Sequence, residues 1–181
     1  MLVEMVVESV RVNLQTYQRV VVLKEKGSER YLPIWIGNNE ADAIVIQLQN
    51  VPVPRPQTHD LLKSIITELG AKVTRVVVND LTEDVFYARV GLDIQGRHVE
   101  VDSRPSDAIA LAVRVQAPIF AEESVLDKAA VALDAEPTAP VEGEQSAENA
   151  EPVREEELKK LSVFREFINT LNLDDLEKRD K

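Results

Sequence analysis

The chain has 181 residues, a net charge of −11 and no cysteine. This length suits one domain with an appendage, and the missing cysteine excludes disulfides and thiolate zinc sites. No apolar run approaches the roughly 18 residues of a membrane span. The N-terminal stretch has neither a basic start nor a small-residue cleavage site, so it does not resemble a signal peptide. We therefore expect a soluble, cytoplasmic protein with no membrane partner.

The negative charge is concentrated in one segment. Residues 134–157 carry nine acidic residues and one arginine, and residues 134–156 are rich in Pro, Glu and Ala with no aromatic residue. Such a composition cannot bury enough apolar surface to fold. We predict a domain over 1–133, a disordered linker over 134–156 and an amphipathic helix over 157–181, whose apolar stripe needs a partner in its own domain or in another chain.

The domain is predicted to begin with three strands. Valine-rich alternation indicates strands over Leu2–Leu14, Arg19–Lys26 and Arg30–Ile36, and Pro33 predicts an edge position or a bulge in the third. Trp35, the only tryptophan, is expected in the core, because stacking on a nucleobase would need an exposed ring.

Two helices follow. Glu40–Gln49 has acidic residues in its first turn and an apolar face. The three prolines of Val51–Gln57 predict a stiff, extended connector. The next helix is predicted to start at Thr58 as N-cap and to stop at Gly70.

The second half of the domain is predicted to hold three more strands, a long helix and a short end piece. These elements are Lys72–Asp80, Val85–Ile94, Arg97–Val101, a helix from Pro105 to about Val115, a buried strand Ile119–Ala121 and a helix Glu122–Leu133. The order predicts an α+β fold, with a mostly antiparallel or mixed sheet and three main helices packed on it.

Sequence signatures of phosphate-binding loops, dinucleotide-binding loops, nucleophile elbows and helical zinc sites are missing from the chain. We therefore expect no organic cofactor. The two histidines exclude a multi-histidine metal centre.

Charged residues do gather where the three main helices begin. Carboxylates can hold Mg²⁺ or Mn²⁺ for phosphodiester hydrolysis, an arginine can bind phosphate, and a histidine can act as acid or base. If these helix starts converge, they form a site. The predicted catalytic residues are His59, Asp60, Arg104 and Asp107; the predicted substrate-binding residues are Arg104 and Ser106; the predicted metal ligands are Glu40, Asp60, Asp102 and Asp107.

A purely structural role explains the same residues. Acids in a first helical turn complement the helix dipole by about 0.3–1 kcal/mol each, and Pro105 suits the first turn. Arg104 paired with Asp102 or Asp107 can simply tie a strand to a helix.

Several segments resemble the bifunctional nuclease domain family: "LPIWIGNNEADAI" (32–44), "PRPQTHDLLKSIITELGAKVTRVVVNDL" (54–81), "FYARV" (86–90) and "VDSRPSDAIALAVRVQAPIFAEESVLD" (101–127). The resemblance covers nearly all of residues 1–130 and implies an α+β fold and nuclease activity on RNA and DNA. The family's motifs match all seven predicted site residues. The tail shows one helix rather than the UvrB/UvrC-type helical hairpin of several bacterial members, so the chain is similar to the shorter form.

Two functions follow as hypotheses. The first is a nuclease of low sequence specificity, assisted by a divalent metal, with DNA and RNA as substrates. The second is a non-catalytic regulatory or interaction module that forms a homo-oligomer or binds a partner, with the polar cluster structural or anion-binding.

Overall fold

Over residues 1–12 and 17–132, which a computed structural model of the chain describes, there are eight strands and four helices. The strands are β1 (Leu2–Val12), β2 (Arg19–Glu25), β3 (Arg30–Ile36), β4 (Ala71–Thr82), β5 (Val85–Ile94), β6 (Arg97–Ser103), β7 (Ile119–Glu122) and β8 (Val131–Ala132). The helices are α1 (Asn38–Leu48), α2 (Thr58–Glu68), α3 (Pro105–Val115) and α4 (Glu123–Ala129).

All eight of these strands belong to one sheet, in the order β6-β5-β4-β7-β1-β2-β3-β8. Two antiparallel meanders, β1-β2-β3 and β4-β5-β6, lie side by side and are joined by β7. The short β7 runs antiparallel to β1 and parallel to β4, with Val76 opposite Ile119. The parallel pair is possible because α3 returns the chain along the sheet between β6 and β7. The sheet is therefore mixed.

The hydrophobic core is aliphatic, as the composition predicts. Its fully buried side chains come from both meanders and from α1, α3 and α4, and include Leu23, Ile34, Ile44, Val76 and Ile109. Ala108, Ala110 and Ala112 of α3 are also buried. Small side chains let α3 approach α1 closely. This packing brings the N-terminal ends of the helices together.

The β4–β5 hairpin turns through two residues that are not glycine. Glu83 and Asp84 have φ angles of 50° and 62°, the signs that a type I′ turn requires at both central positions. Asn-Gly is the favoured pair there, since other side chains are strained in this region. The tight turn places Asp84 in a surface groove that the start of β2 and the end of β3 also line.

The predicted α+β class and mixed sheet are confirmed, with shifts at several element ends. The first helix begins at Asn38 rather than Glu40, and the N-cap of α2 is Gln57 rather than Thr58. The predicted helix Glu122–Leu133 is wrong after Ala129, where the chain becomes the two-residue strand β8. A strand this short shows no alternation in the sequence, and its pairing with β3 leaves no local pattern either.

The core position predicted for Trp35 is wrong. The side chain is 51% exposed, because neighbouring residues of a strand point to opposite faces and Ile34 takes the core side at 2% exposure. Pro33 lies on β3 beyond the stretch that β8 covers, since β8 pairs only with Arg30 and Tyr31. This is the edge position that the proline predicts.

The described residues belong to one compact unit, Met1–Asp134. The predicted linker over 134–156 and the predicted helix over 157–181 lie outside the described residues and stay predictions. Within the described part of the chain, none of the helices has the length and apolar character to cross a membrane.

Candidate active site

Three carboxylates occupy the same position at the start of three helices. Glu40 in α1, Asp60 in α2 and Asp107 in α3 are each the third residue after their N-cap. Carboxylates favour this position because the first backbone N–H groups of a helix have no partner within it. Local physics therefore explains the residue type at each helix start. It does not dictate whether the starts meet, which depends on the packing.

Arg104 joins two of these carboxylates. It is the N-cap residue of α3, and its Nε donates to Asp107 Oδ2 at 2.7 Å while its Nη2 donates to Glu40 Oε1 at 2.8 Å. The second bond crosses from α3 to α1. The Arg104 side chain remains 67% exposed, whereas that of Glu40 is 18% exposed. A fixed guanidinium is thus presented to solvent at the junction of two helix N-termini.

Gly37 makes the Glu40 position possible. This residue is the N-cap of α1, with an ordinary extended backbone at φ −69°. A Cβ at residue 37 would collide with the carboxylate of Glu40. The glycine therefore allows the close approach of the Glu40 carboxylate, which a larger residue would displace.

His59 extends the cluster to the third helix. Its ring Nε2 lies 3.1 Å from Asp107 Oδ1, and its side chain is 9% exposed. Burial raises the pKa of Asp107, but the hydrogen bonds from Arg104 and His59 outweigh it and hold that pKa below its usual value. The carboxylate is thus ionised at neutral pH, so the shared proton belongs to His59 Nε2. Asp107 binds both side chains, one through each oxygen.

Asp60 belongs to a second contact between α2 and α3. The Nε of Arg114 donates to Asp60 Oδ1 at 2.7 Å, and the backbone N–H of Gln57 donates to Oδ2 at 2.8 Å. Burial raises the pKa of Asp60, but these two hydrogen bonds outweigh burial and hold the pKa below its usual value. Asp107 and Arg114 are seven residues apart on α3, or two turns and about 10 Å. Asp60 is therefore directed to Arg114, away from the Arg104 cluster.

Arg114 itself is buried, with a side chain only 2% exposed. It also donates to Ala110 O at 2.9 Å and to Gln57 Oε1 at 3.0 Å. A buried guanidinium needs several acceptors to offset its lost hydration, and here it has three. Arg114 was not predicted as a site residue, although its spacing of seven from Asp107 places both on one face of α3.

The remaining two predicted site residues lie apart from each other. Ser106 is buried, 6% exposed, in the first turn of α3. Asp102 is exposed on β6 directly opposite Arg89 of β5. Because its neighbour Val101 pairs with the core residue Val90, Asp102 points to the sheet face away from α3. The structure thus brings together Glu40, His59, Arg104 and Asp107, and does not bring Asp102 to them.

As arranged, these carboxylates do not fit a metal ion. Mg²⁺ and Mn²⁺ need several oxygen ligands around one point. Within residues 1–12 and 17–132, no three His, Asp or Glu side chains are placed to hold one. Between Glu40 and Asp107, the Arg104 guanidinium takes the place that a cation would fill. A metal ion held by Glu40 and Asp107 would require Arg104 to move, and Asp60 and Asp102 lie away from these two carboxylates. The metal role of the four residues stays a prediction.

Arg104 and Ser106 also line a groove of about 420 Å³. Its other walls include Arg19 at the start of β2, Trp35 at the end of β3 and Phe86 at the start of β5. A volume of several hundred Å³ is typical of small-ligand sites. Two arginines and an exposed indole thus meet beside the polar cluster. Arg19 and Trp35 were not predicted as site residues, although strand alternation from Ile34 could have indicated the outward tryptophan.

An arginine held by two carboxylates thus lies beside an open groove of an α+β domain. The family model described as the bifunctional nuclease domain matches residues 21–134. The chain belongs to the bifunctional nuclease domain family, which confirms the resemblance seen in the sequence.

Relatives of two kinds match the chain. An uncharacterized protein of Mycobacterium tuberculosis is 41% identical over 172 residues, which are 95% of this chain and 96% of that protein. Bifunctional nuclease 2 of Oryza sativa subsp. japonica is 34% identical over 112 residues, covering 60% of this chain and 34% of that protein. Bifunctional nuclease 1 of Arabidopsis thaliana is 30% identical over 103 residues, or 55% and 32%. The chain therefore spans about a third of the length of these plant nucleases.

Proposed function

We propose that this protein is a nuclease that hydrolyses phosphodiester bonds of RNA and DNA with low sequence specificity. The observation that carries the proposal is the set of contacts in which Glu40 and Asp107 hold Arg104, Asp107 also binds His59, and Arg104 lines an open groove. The family and the names of the plant relatives support the same reaction class.

Arg104 is proposed to bind the scissile phosphate. Hydrolysis adds a water oxygen to phosphorus and breaks one P–O ester bond, and negative charge builds up on the phosphoryl oxygens. A guanidinium held in place beforehand stabilises that charge without reorganising, and its fork of donors matches two phosphate oxygens. Glu40 and Asp107 are positioning residues in this scheme, because each holds one side of the guanidinium. Ser106, in the same groove wall, is proposed to assist phosphate binding.

The His59–Asp107 pair is proposed to take the proton of the attacking water, and the leaving ester oxygen takes a proton from solvent. With Nε2–H donated to Asp107, Nδ1 is the ring nitrogen proposed to accept the proton of the attacking water. Asp60 is proposed to act indirectly: through Arg114 it fixes the start of α2, on which His59 lies. A divalent metal stays a predicted cofactor, and no step here uses one.

A cleavage assay on end-labelled single-stranded RNA and DNA tests the proposal. Wild type should cleave both, whereas His59→Asn and Asp107→Asn should each be slower by about 100-fold or more, the usual contribution of acid–base catalysis. Parallel reactions with EDTA, Mg²⁺ and Mn²⁺ test the metal. Arg75→Met, which alters an exposed arginine paired with Glu100, is the control. Equal cleavage by all variants would indicate a contaminating nuclease and refute the assignment.

A second candidate, a self-associating interaction module, is favoured by one surface. α2 and its C-cap expose four aliphatic side chains, Leu61, Leu62, Ile65 and Leu69, which are 38–73% exposed. Residues 61, 65 and 69 follow the spacing of one helix face. A second copy of the chain is the proposed partner. Sedimentation of wild type and Leu61→Glu/Ile65→Glu tests it: wild type should be larger than a monomer and the variant monomeric, whereas equal masses would refute it.

The cytoplasm is the proposed location, supported by the absence of cysteine from the chain. Cell fractionation with an antibody against the protein would test it.

A further inference from the structure

Trp35 gives the groove an aromatic platform. A tryptophan on a strand beside a core normally buries most of its ring, yet this side chain is 51% exposed and forms part of the groove wall. Phe86, at the start of β5, lines the same groove. An exposed, flat aromatic surface is the kind of surface on which a nucleobase stacks.

Two arginines, Arg19 and Arg104, line the same groove as Trp35. Arg19 Nε is buried and has no hydrogen-bond partner among the described residues, and the ion pair of Arg19 with Asp42 is long, at 3.9 Å. The buried Nε is closed to a ligand, but the Arg19 side chain is 31% exposed, so its terminal nitrogens can reach one. Arg104 uses two of the five N–H groups of a guanidinium for Asp107 and Glu40. Both arginines can therefore donate to an anion in the groove.

The charge in the groove is mixed. Asp84 of the β4–β5 turn also lines it, and the carboxylates of Glu40 and Asp107 lie behind Arg104. Sites that hold nucleic acid mainly by charge carry a continuous basic surface. Recognition here must rest more on stacking than on phosphate contacts, so binding should depend only weakly on salt.

We propose that the groove binds one nucleotide of a single-stranded nucleic acid, with its base stacked on Trp35 and its phosphate between Arg19 and Arg104. This proposal rests on the proposed nuclease function and names the form of its substrate. A duplex stacks its bases on one another and offers no free base face to a protein side chain. The groove therefore selects single strands over duplexes, and it accepts DNA and RNA alike, because every base has a π-face.

Trp35 is also the probe for the experiment, since it is the only tryptophan in the chain. The full-length protein is titrated with a 12-nucleotide thymidine oligomer, and the intrinsic fluorescence is recorded. Stacking should quench it to saturation. The same oligomer annealed to its complement should bind at least about 10-fold more weakly, and the slope of log affinity against log salt should be about −1.5 or shallower, as expected for one or two phosphate contacts.

Variants locate the binding, measured by anisotropy of a labelled oligomer. Trp35→Ala should weaken it by about 5- to 150-fold, the range for loss of one stacked base, and Trp35→Phe by less than Trp35→Ala. Tyr87→Ala is the matched control, because Tyr87 is a 41% exposed aromatic that points to the opposite side of β5 from Phe86; it should bind like wild type. Far-UV circular dichroism confirms that each variant is folded.

Cleavage of the same oligomer separates the two proposals. If Trp35→Ala binds as tightly as wild type, if the duplex binds as well as the single strand, or if fluorescence does not change on binding, the groove assignment is wrong even when cleavage persists. If quenching and the Trp35→Ala loss are seen but no cleavage occurs with EDTA, Mg²⁺ or Mn²⁺, the groove assignment is supported and the nuclease proposal fails.

Discussion

Arg114 and Arg104 each bind an acidic residue across a helix interface, and their replacement by methionine should have opposite consequences. Arg114 is 2% exposed and donates to Asp60, Gln57 and Ala110. Arg104 is 67% exposed and donates to Asp107 and Glu40. We expect Arg114→Met to destabilise the fold, and Arg104→Met to leave the fold nearly intact while removing activity.

The structure sets the magnitudes. Arg114→Met removes one charge-assisted hydrogen bond, worth about 1.5–3 kcal/mol, and two further bonds of about 1 kcal/mol each. Asp60 keeps its bond from the Gln57 backbone and is 30% exposed, so water recovers part of the loss. A net cost of about 3 kcal/mol follows, at the lower end for breaking a buried ion pair. Arg104→Met breaks exposed pairs and should cost about 1 kcal/mol or less.

Urea denaturation followed by far-UV circular dichroism measures both costs. With a urea m-value of about 2 kcal/mol/M for a domain of this size, the midpoint should fall by about 1.5 M in Arg114→Met and by about 0.5 M or less in Arg104→Met. The m-value should be unchanged in both. If Arg104→Met lowers the midpoint as far as Arg114→Met, Arg104 is a structural residue, and the separation of the two contacts is refuted.

Three other perturbations test separate parts of the structure. Asp60 and Asp107 have lowered pKa values in the fold, so their contribution to stability is complete above the unfolded pKa of about 3.9 and is lost as the pH falls through the folded pKa values. Urea midpoints should therefore drop below about pH 4, and less steeply in Asp60→Asn than in wild type. Equal slopes in the two proteins would contradict this. Gly37→Ala places a methyl group where the Glu40 carboxylate lies. Cleavage should therefore fall several-fold, while the unfolding free energy should change by less than about 1 kcal/mol. Unchanged cleavage would show that Glu40 does not position Arg104. Glu83→Asn relieves a positive φ in the β4–β5 turn and should raise the unfolding free energy by about 0.5 kcal/mol, measured by urea titration, and a decrease would argue against the turn strain.

The sequence predicts most elements of the fold because their patterns are local. Alternating valines mark the strands, and acids, proline and glycine mark the helix ends. The pairing of β7 with β4 could not be predicted, because parallel strands are joined through distant segments that leave no local pattern. The two-residue β8 is too short for any periodicity. Local signals thus determine what each segment forms, and packing determines which segments become neighbours.

In the candidate site too, local sequence signals indicate the residue types, and packing determines which residues become neighbours. Residue types at the helix starts indicate Glu40, His59, Arg104 and Asp107, and the structure brings these four together. The same signal also indicates Asp60, which instead binds Arg114. First-turn acids look alike in sequence whether they face a site or another helix, so only the packing of α2 on α3 separates them.

Trp35 shows why an expectation drawn from average burial fails on an alternating strand. Large aromatic residues are mostly buried, and that average predicts the core. The alternation of β3 instead directs Trp35 outward next to Ile34, which is 2% exposed.

Single-turnover cleavage tests most directly whether Arg104 is the phosphate-binding residue of a nuclease. Wild type and Arg104→Met are compared on single-stranded RNA and DNA, with Arg75→Met as control. We predict that wild type and Arg75→Met cleave both substrates at equal rates, and that Arg104→Met is slower by about 100-fold or more, as when one preorganised donor to the transition state is removed. Cleavage by Arg104→Met at the wild-type rate, or no cleavage by wild type under any metal condition, would contradict it.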